Sequence, residues 1–210
     1  MLAHWESLEH QANLGAMVLC PILTGIMGTG NTSPWRTPVT TKPVQGATPQ
    51  RNAVFPTRDF THPNFNPAPL MQLAEDTTWL ERAGNCLIFG LSGVGKTHLA
   101  AGLTRRMVEL GKGAKFFAAN ALVQELQHAK LQLQLPALLR KLHRFDLLVL
   151  EELGYVKKSE AETSVLFELI ADRYERKSLL ITANQPLSQW DAIFSDSMMI
   201  VAAVEALQKV

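Results

Sequence analysis

One stretch restricts the fold of this chain more than any other: Gly90-Leu-Ser-Gly-Val-Gly-Lys-Thr97, with the spacing Gly-x-x-x-x-Gly-Lys-Thr. The residues before it, Asn85-Cys-Leu-Ile-Phe-Gly90, read as a short buried strand, and those after it, His98 to Leu110, as a helix. A strand–loop–helix setting separates a phosphate cradle from a chance pattern match. Glycines let such a loop fold back, so that successive backbone N–H groups and the helix N-terminus point at one anion. In that reading Gly90, Ser92, Gly93, Val94, Gly95, Lys96, Thr97 and His98 surround a nucleotide's phosphates. The Lys96 ammonium sits on the β- and γ-phosphates, and the Thr97 hydroxyl ligates Mg²⁺. The competing reading is a glycine turn that caps an ordinary helix; four pattern positions and both flanks favour the cradle.

The rest of the chain sets that loop in an α/β domain. At 210 residues there is room for one such domain plus appendages. Near-continuous apolar runs, Leu147-Leu-Val-Leu150 and Leu179-Leu-Ile181, indicate strands buried on both faces. From Phe60 onward the pattern predicts a helix over Pro69–Glu81 and a strand over Asn85–Phe89, then helix Lys96–Leu110 and strand Ala114–Ala118. Helices Ala121–Gln134 and Pro136–His143 follow, then strand Asp146–Leu150, helix Ser159–Arg176 and strand Ser178–Ala183. This alternation implies a parallel sheet covered on both sides. Ligands of such sheets lie beyond the C-terminal strand ends, where Gly90, Glu151 and Asn184 should all emerge.

Glu151 and Glu152 directly follow the apolar strand over Leu147–Leu150. A strand can end in solvated acids, but beside a phosphate loop the first acid helps to hold Mg²⁺ and its neighbour polarises the attacking water. Asn184, in Ile181-Thr-Ala-Asn-Gln-Pro186, either starts the turn before Pro186 or orients the lytic water.

Other features argue against alternatives. Lys plus Arg (20) nearly balances Asp plus Glu (19), so global charge announces no nucleic-acid partner. Basic residues gather locally at Arg105-Arg106 with Lys112 and Lys115, at Arg140-Lys141 with His143 and Arg144, and at Arg173, Arg176 and Lys177. Each group reads as a solvated helix face or as a contact to DNA phosphates. The six histidines show no ligand spacing, and the four tryptophans form no stacking platform. Cys20 and Cys86 lie far apart, which argues against a disulfide or metal site and fits a reducing cytoplasm. Leu14–Met27 is apolar but too short to span a bilayer, and no basic segment precedes it as a secretory signal requires. Residues 1–56 are expected to be largely irregular: Met1–Ala12 suits a short amphipathic helix, and Gly28–Pro56 carries five prolines. The glycines at 25, 28 and 30 lack a following lysine and helix, and read as linker.

Taken together, the loop through Lys96-Thr-His-Leu-Ala100, Leu147-Leu-Val-Leu-Glu-Glu-Leu-Gly-Tyr155, Leu166-Phe-Glu-Leu-Ile-Ala-Asp-Arg-Tyr-Glu-Arg-Lys-Ser-Leu179 and Ile181-Thr-Ala-Asn-Gln-Pro186 closely resemble IstB. IstB proteins are AAA+ helper ATPases of bacterial insertion sequences, related to the DnaC helicase loaders. The resemblance covers about Phe60 to Val204. It implies an ATP-dependent regulator of transposition that forms homo-oligomers on double-stranded DNA and stimulates a separate transposase. By motif, Gly95, Lys96 and Thr97 take the Walker A role, Glu151 and Glu152 the Walker B role, and Asn184 the first sensor role. The DnaC-like loader and a non-hydrolysing or decayed nucleotide-binding fragment are the alternatives.

Four departures accompany the resemblance, the mildest being Leu91-Ser92 in the loop, where the family often has Pro or Ser. The family usually has Asp-Asp where this chain has Glu151-Glu152; the extra methylene at the first place, against an ion that tolerates little misplacement, implies slower hydrolysis. Ala206 stands where the resemblance places an arginine of the kind a neighbouring subunit inserts toward the γ-phosphate, and no lid is expected after Val210. Residues 13–52 are unlike the family's basic helical N-terminal region. A recognisable middle between two foreign ends is the pattern a frameshifted insertion-sequence copy would leave. The expected organisation is thus an α/β P-loop NTPase of AAA+ type over residues 57–210, truncated at its C-terminus, behind an irregular segment.

Overall fold

Strands with apolar residues on both faces must be covered on both faces, and this chain does so with two separate cores. The computed structural model describes residues 17–19, 68–154, 158–186, 189–190 and 197–208. The elements are β1 (Met17–Leu19), α1 (Ala68–Glu75), α2 (Thr78–Glu81), β2 (Cys86–Phe89), α3 (Lys96–Glu109), β3 (Ala114–Ala118), α4 (Ala119–Leu131), α5 (Leu135–His143), β4 (Leu147–Leu153), α6 (Glu160–Arg173), β5 (Ser178–Ala183) and α7 (Ser197–Gln208). The strand order is β1-β2-β5-β4-β3. The four strands β2, β5, β4 and β3 run parallel, as the sequence implied, and β1 pairs antiparallel with β2.

Alternation along each strand divides its side chains between the faces. Leu87, Phe89, Leu148, Leu150, Leu179 and Ile181 turn toward α4, α5, α6 and α7. Cys86, Ile88, Leu147, Val149 and Leu180 turn toward α1, α2 and α3, where Trp79, Leu99, Leu103 and Met107 complete the second core. Cys86 is buried and in no disulfide among the described residues. Among the described residues no helix is long and apolar enough to cross a membrane, and no group of three or more His, Cys, Asp or Glu side chains is placed to hold a metal.

Several element ends differ from the sequence reading, each for a local reason. The helix expected over Pro69–Glu81 breaks in two, because the Asp76 carboxylate accepts from the backbone N–H of Thr78 (2.9 Å) and from its hydroxyl (2.7 Å). An amide captured by a side chain is withdrawn from a continuing helix. α4 stops at Leu131 and α6 at Arg173, before left-handed Leu133 (φ 57°) and Glu175 (φ 55°). Glycine is the usual residue at such stops, so neither was marked in the sequence. α6 starts where a capping box predicts: the Ser159 hydroxyl accepts from Glu162 N–H, and the Glu162 carboxylate accepts from Ser159 N–H. β1 lies in the apolar Leu14–Met27 run and covers the outer edge of β2 with backbone hydrogen bonds, the need of any edge strand. The Met1–Ala12 helix and the irregular Gly28–Pro56 stretch fall outside the described residues.

The third basic group also reads differently in three dimensions. Lys177 pairs with Asp146 at 2.7 Å. Arg173 is 1 % exposed and donates to the carbonyls of Leu142, Phe145, Asp146 and Ser178. It fastens the end of α5 to the starts of β4 and β5 and presents no charge to a DNA backbone. Burial, opposed by Asp172 and Asp146, pulls its guanidinium down to about 10.

Replacing Arg173 with leucine keeps an apolar stem but strips four carbonyls of a charged donor. Buried acceptors left unsatisfied cost ~1–3 kcal/mol each; the Leu142 and Asp146 carbonyls keep the amides of Phe145 and Ser178, and part is returned because a buried guanidinium also loses hydration. The net loss should be about 2–4 kcal/mol, read as a lower urea midpoint with an unchanged denaturant slope.

Candidate functional site

The site begins where β2 ends. Gly90 N–H donates to the Ala183 carbonyl at 3.3 Å, tying the first residue of the loop to the last residue of β5. Asn184 follows directly, half-buried, at the same edge. The loop then turns through Gly93 (φ 84°) to Gly95 (φ 92°), which occupies the N-cap of α3. A left-handed N-cap excludes side chains that the backbone would strain, and Gly95 has no side chain with which to cap the helix. The first-turn amides of Lys96, Thr97 and His98 are thereby directed at the loop rather than at a capping oxygen, the arrangement that suits an anion. Ser92 and Gly93 are exposed; Val94, Thr97 and His98 are half-buried, and Val94 packs on the α3-side core.

Lys96 is 7 % exposed, and its Nζ donates to the carbonyls of Gly90 and Leu91, both at 2.8 Å. Burial pushes its ammonium below the ordinary lysine value; Glu152, and after it Glu151, pull in the opposite direction. The loop and the acids meet at one edge through β5: Gly90 N–H bonds the Ala183 carbonyl, Glu152 N–H bonds the Thr182 hydroxyl, and Asn184 follows Ala183.

The acids themselves are arranged differently from the reading. β4 does not end at Leu150 but runs through Glu151 and Glu152 to Leu153. It pairs with β5 at Leu150↔Ile181 and again at Leu153↔Ala183, so β4 advances three residues while β5 advances two. That extra residue is a bulge, a device that re-aims side chains next to functional sites. Glu152 sits in it with φ 58° and is exposed. A left-handed conformation costs a non-glycine residue about 1–2 kcal/mol. Glu152 N–H donates to the buried Thr182 hydroxyl at 3.0 Å, a bond worth about 1 kcal/mol net, so pairing on both sides of the bulge must carry the remainder.

Two residues at this edge were not singled out from sequence. Thr182 is the lone polar side chain between Leu179 and Ala183, fully buried, and that anomaly was the available signal. Trp190 is 1 % exposed, meets Phe89 edge-on at 6.4 Å, and donates to the Gln185 carbonyl at 3.3 Å. It braces the turn after Asn184, and nothing local in the sequence marks it. Ala206 lies away from this edge: it packs against the α6-side core, beside Leu207, whose carbonyl accepts from Asn85 at the far end of β2.

A phosphate loop between β2 and α3, with paired acids on the second strand over, defines a P-loop ATP-binding protein with the AAA+ fold. Comparison with known proteins names the group more narrowly: the chain belongs to the family of IstB-like ATP binding proteins, whose pattern matches residues 44–209. It is 48 % identical over 145 residues to an insertion-sequence ATP-binding protein of Sinorhizobium fredii, covering 69 % of this chain and 49 % of the relative. To the IS21 ATP-binding protein of Pseudomonas aeruginosa it is 33 % identical over 150 residues, covering 71 % of this chain and 56 % of the relative. The chain thus spans about half the length of the curated relatives it matches. Among solved structures, the DnaC helicase loader superposes with a TM-score of 0.54 at 23 % identity over 76 % of this chain and 89 % of that one. Domain III of the Thermotoga maritima replication initiation protein DnaA gives 0.60 at 15 % identity, over 81 % and 66 % respectively. These likenesses show the shared fold.

Lys96→Ala should weaken ATP affinity about 100-fold, the loss of a charge-assisted contact to phosphate. Fluorescent-nucleotide titration reads the affinity, and a thermal melt separates it from any loosening of the loop. Unchanged affinity would remove Lys96 from the site.

Proposed function

We propose that this chain hydrolyses ATP and serves as a helper of DNA transposition, acting on double-stranded DNA with a transposase, as a homo-oligomer in the cytoplasm. The observation that carries the reading is that β5 holds together a glycine-turned loop with a buried lysine at its end and the strand end bearing Glu151 and Glu152. In this reading the α3 amides and Lys96 take the β- and γ-phosphates. Thr97 and Glu151 are the residues that would hold Mg²⁺, which would supply neutralisation of developing charge on the phosphoryl oxygens. Glu152 accepts a proton from the attacking water, and Asn184 orients that water. Family membership and the insertion-sequence names of the relatives support the transposition role. For DNA, the group on α5 is the strongest support: Arg140, Lys141 and Arg144 are exposed. Arg105, Arg106 and Lys112 are instead engaged with Glu109, Ala74 and Glu81.

A second reading keeps ATP binding without turnover. The observation favouring it is Glu151 at the metal position, one methylene longer than the family's usual aspartate.

Phosphate release by the full chain, with and without duplex DNA, separates the two. Hydrolysis predicts release that DNA stimulates, and Glu152→Gln should leave ATP affinity intact while lowering turnover about 10²–10⁴-fold, the usual worth of a general base. Tight binding with no release selects the non-hydrolysing reading. Persistent release after Glu152→Gln would mean that another group polarises the water.

A further inference from the structure

The geometry points to Thr182 as a positioning residue for hydrolysis, one that acts through the backbone of Glu152 and never touches the nucleotide. The inference rests on the hydrolysis reading above. Regular pairing would carry β4 past Leu150 with its side chains alternating between faces, sending one of the two acids into a core. The bulge prevents this: two residues, Glu151 and Glu152, stand against Thr182 alone between the Leu150↔Ile181 and Leu153↔Ala183 pairs. An extra residue leaves a backbone amide without its ladder acceptor. Here the Glu152 amide finds the Thr182 hydroxyl at 3.0 Å, in a strand whose every residue is buried.

Threonine suits the task for a specific reason. Its branched β-carbon leaves few side-chain rotamers, and the neighbouring strand holds it on one side, with Ile88 as its register partner on β2. The hydroxyl direction is therefore set by the sheet. It anchors the one amide that the bulge leaves outside the ladder, at a residue that the flanking pairs hold at φ 58° and whose exposed carboxylate acts on the Lys96 ammonium. Valine at 182 has nearly the same shape and no acceptor, so it would release the amide and let the carboxylate wander. Hydrolysis is sensitive to such wandering: a misplacement of ~1 Å can cost ~10²-fold in rate.

Three variants test this in the full chain. Thr182→Val should lower kcat for phosphate release by about 10- to 100-fold while ATP affinity stays within about twofold. Thr182→Ser, which restores the hydroxyl, should recover most of the rate. Added to Glu152→Gln, Thr182→Val should cost nothing further, because the two act as one unit. Loss of ATP binding together with kcat, no recovery with serine, or a full additional loss in the double variant would each reduce Thr182 to a packing residue. Release by the unsubstituted chain with an unchanged kcat in Thr182→Val overturns this role alone. No release by the unsubstituted chain overturns the hydrolysis reading, and the role of Thr182 with it.

Discussion

Every part of the site is held by the insertion of β5 between β2 and β4. The last strand of the parallel sheet in chain order lies in its middle, and it touches both partners at their C-terminal ends. On one side its Ala183 carbonyl receives the Gly90 amide that opens the phosphate loop. On the other its Thr182 hydroxyl receives the Glu152 amide. The loop and the acids are separated by more than a full βα unit in sequence, so neither can find the other locally. Removing β5 would leave two half-sites with no fixed distance between them. The pairing is non-local and costly in chain entropy, which is why β5 is buried along its whole length. It must recover in apolar area what it loses in loop closure.

The same arrangement explains the electrostatic state of Lys96. An ammonium removed from water is unfavourable unless it is compensated. Here two loop carbonyls supply close acceptors, and the two carboxylates act at longer range. Dipolar acceptors and a more distant negative charge hold the lysine in place without neutralising it. A polyphosphate entering the loop would offer that ammonium full negative charges, an attraction strengthened because the lysine is already withdrawn from water.

How much of this was legible beforehand follows the range of the interactions. The phosphate loop, the parallel sheet and the common edge of Gly90, Glu151 and Asn184 were readable, because each rests on local spacing or strand hydrophobicity. The α6 start lies within one residue of the Ser159 expected from the pattern. Features set by partners distant in sequence were not. The left-handed stops at Leu133 and Glu175 lack a glycine, and the break at Asp76 depends on one side chain choosing an amide over solvent. The passage of β4 through two glutamates runs against strand propensity and is visible only once Ala183 is known to pair with Leu153. Arg173 is the sharpest case. Its charged neighbours in sequence, Asp172, Arg176 and Lys177, suggest a solvated face, yet it is the end of α6 that faces inward. Its carbonyl partners reach from residue 142 to residue 178.

The bulge also changes what the Glu151-Glu152 pair means. In a strand that stopped at Leu150, both acids would hang in a flexible turn, and an extra methylene at the first place would add freedom as well as length. In the observed strand Glu151 is itself paired, opposite Ala118 of β3, so its backbone cannot retreat to accommodate a longer side chain. Any adjustment of its carboxylate comes from side-chain torsions, which are softer than a paired backbone. Glu152 stands in the reverse situation, its side chain exposed and its backbone held left-handed by the flanking pairs and by its amide's bond to Thr182. One acid is thus fixed by pairing and adapts through its side chain. The other is held by its backbone, and one anchor of that backbone, Thr182, lies on the strand that leads into Asn184.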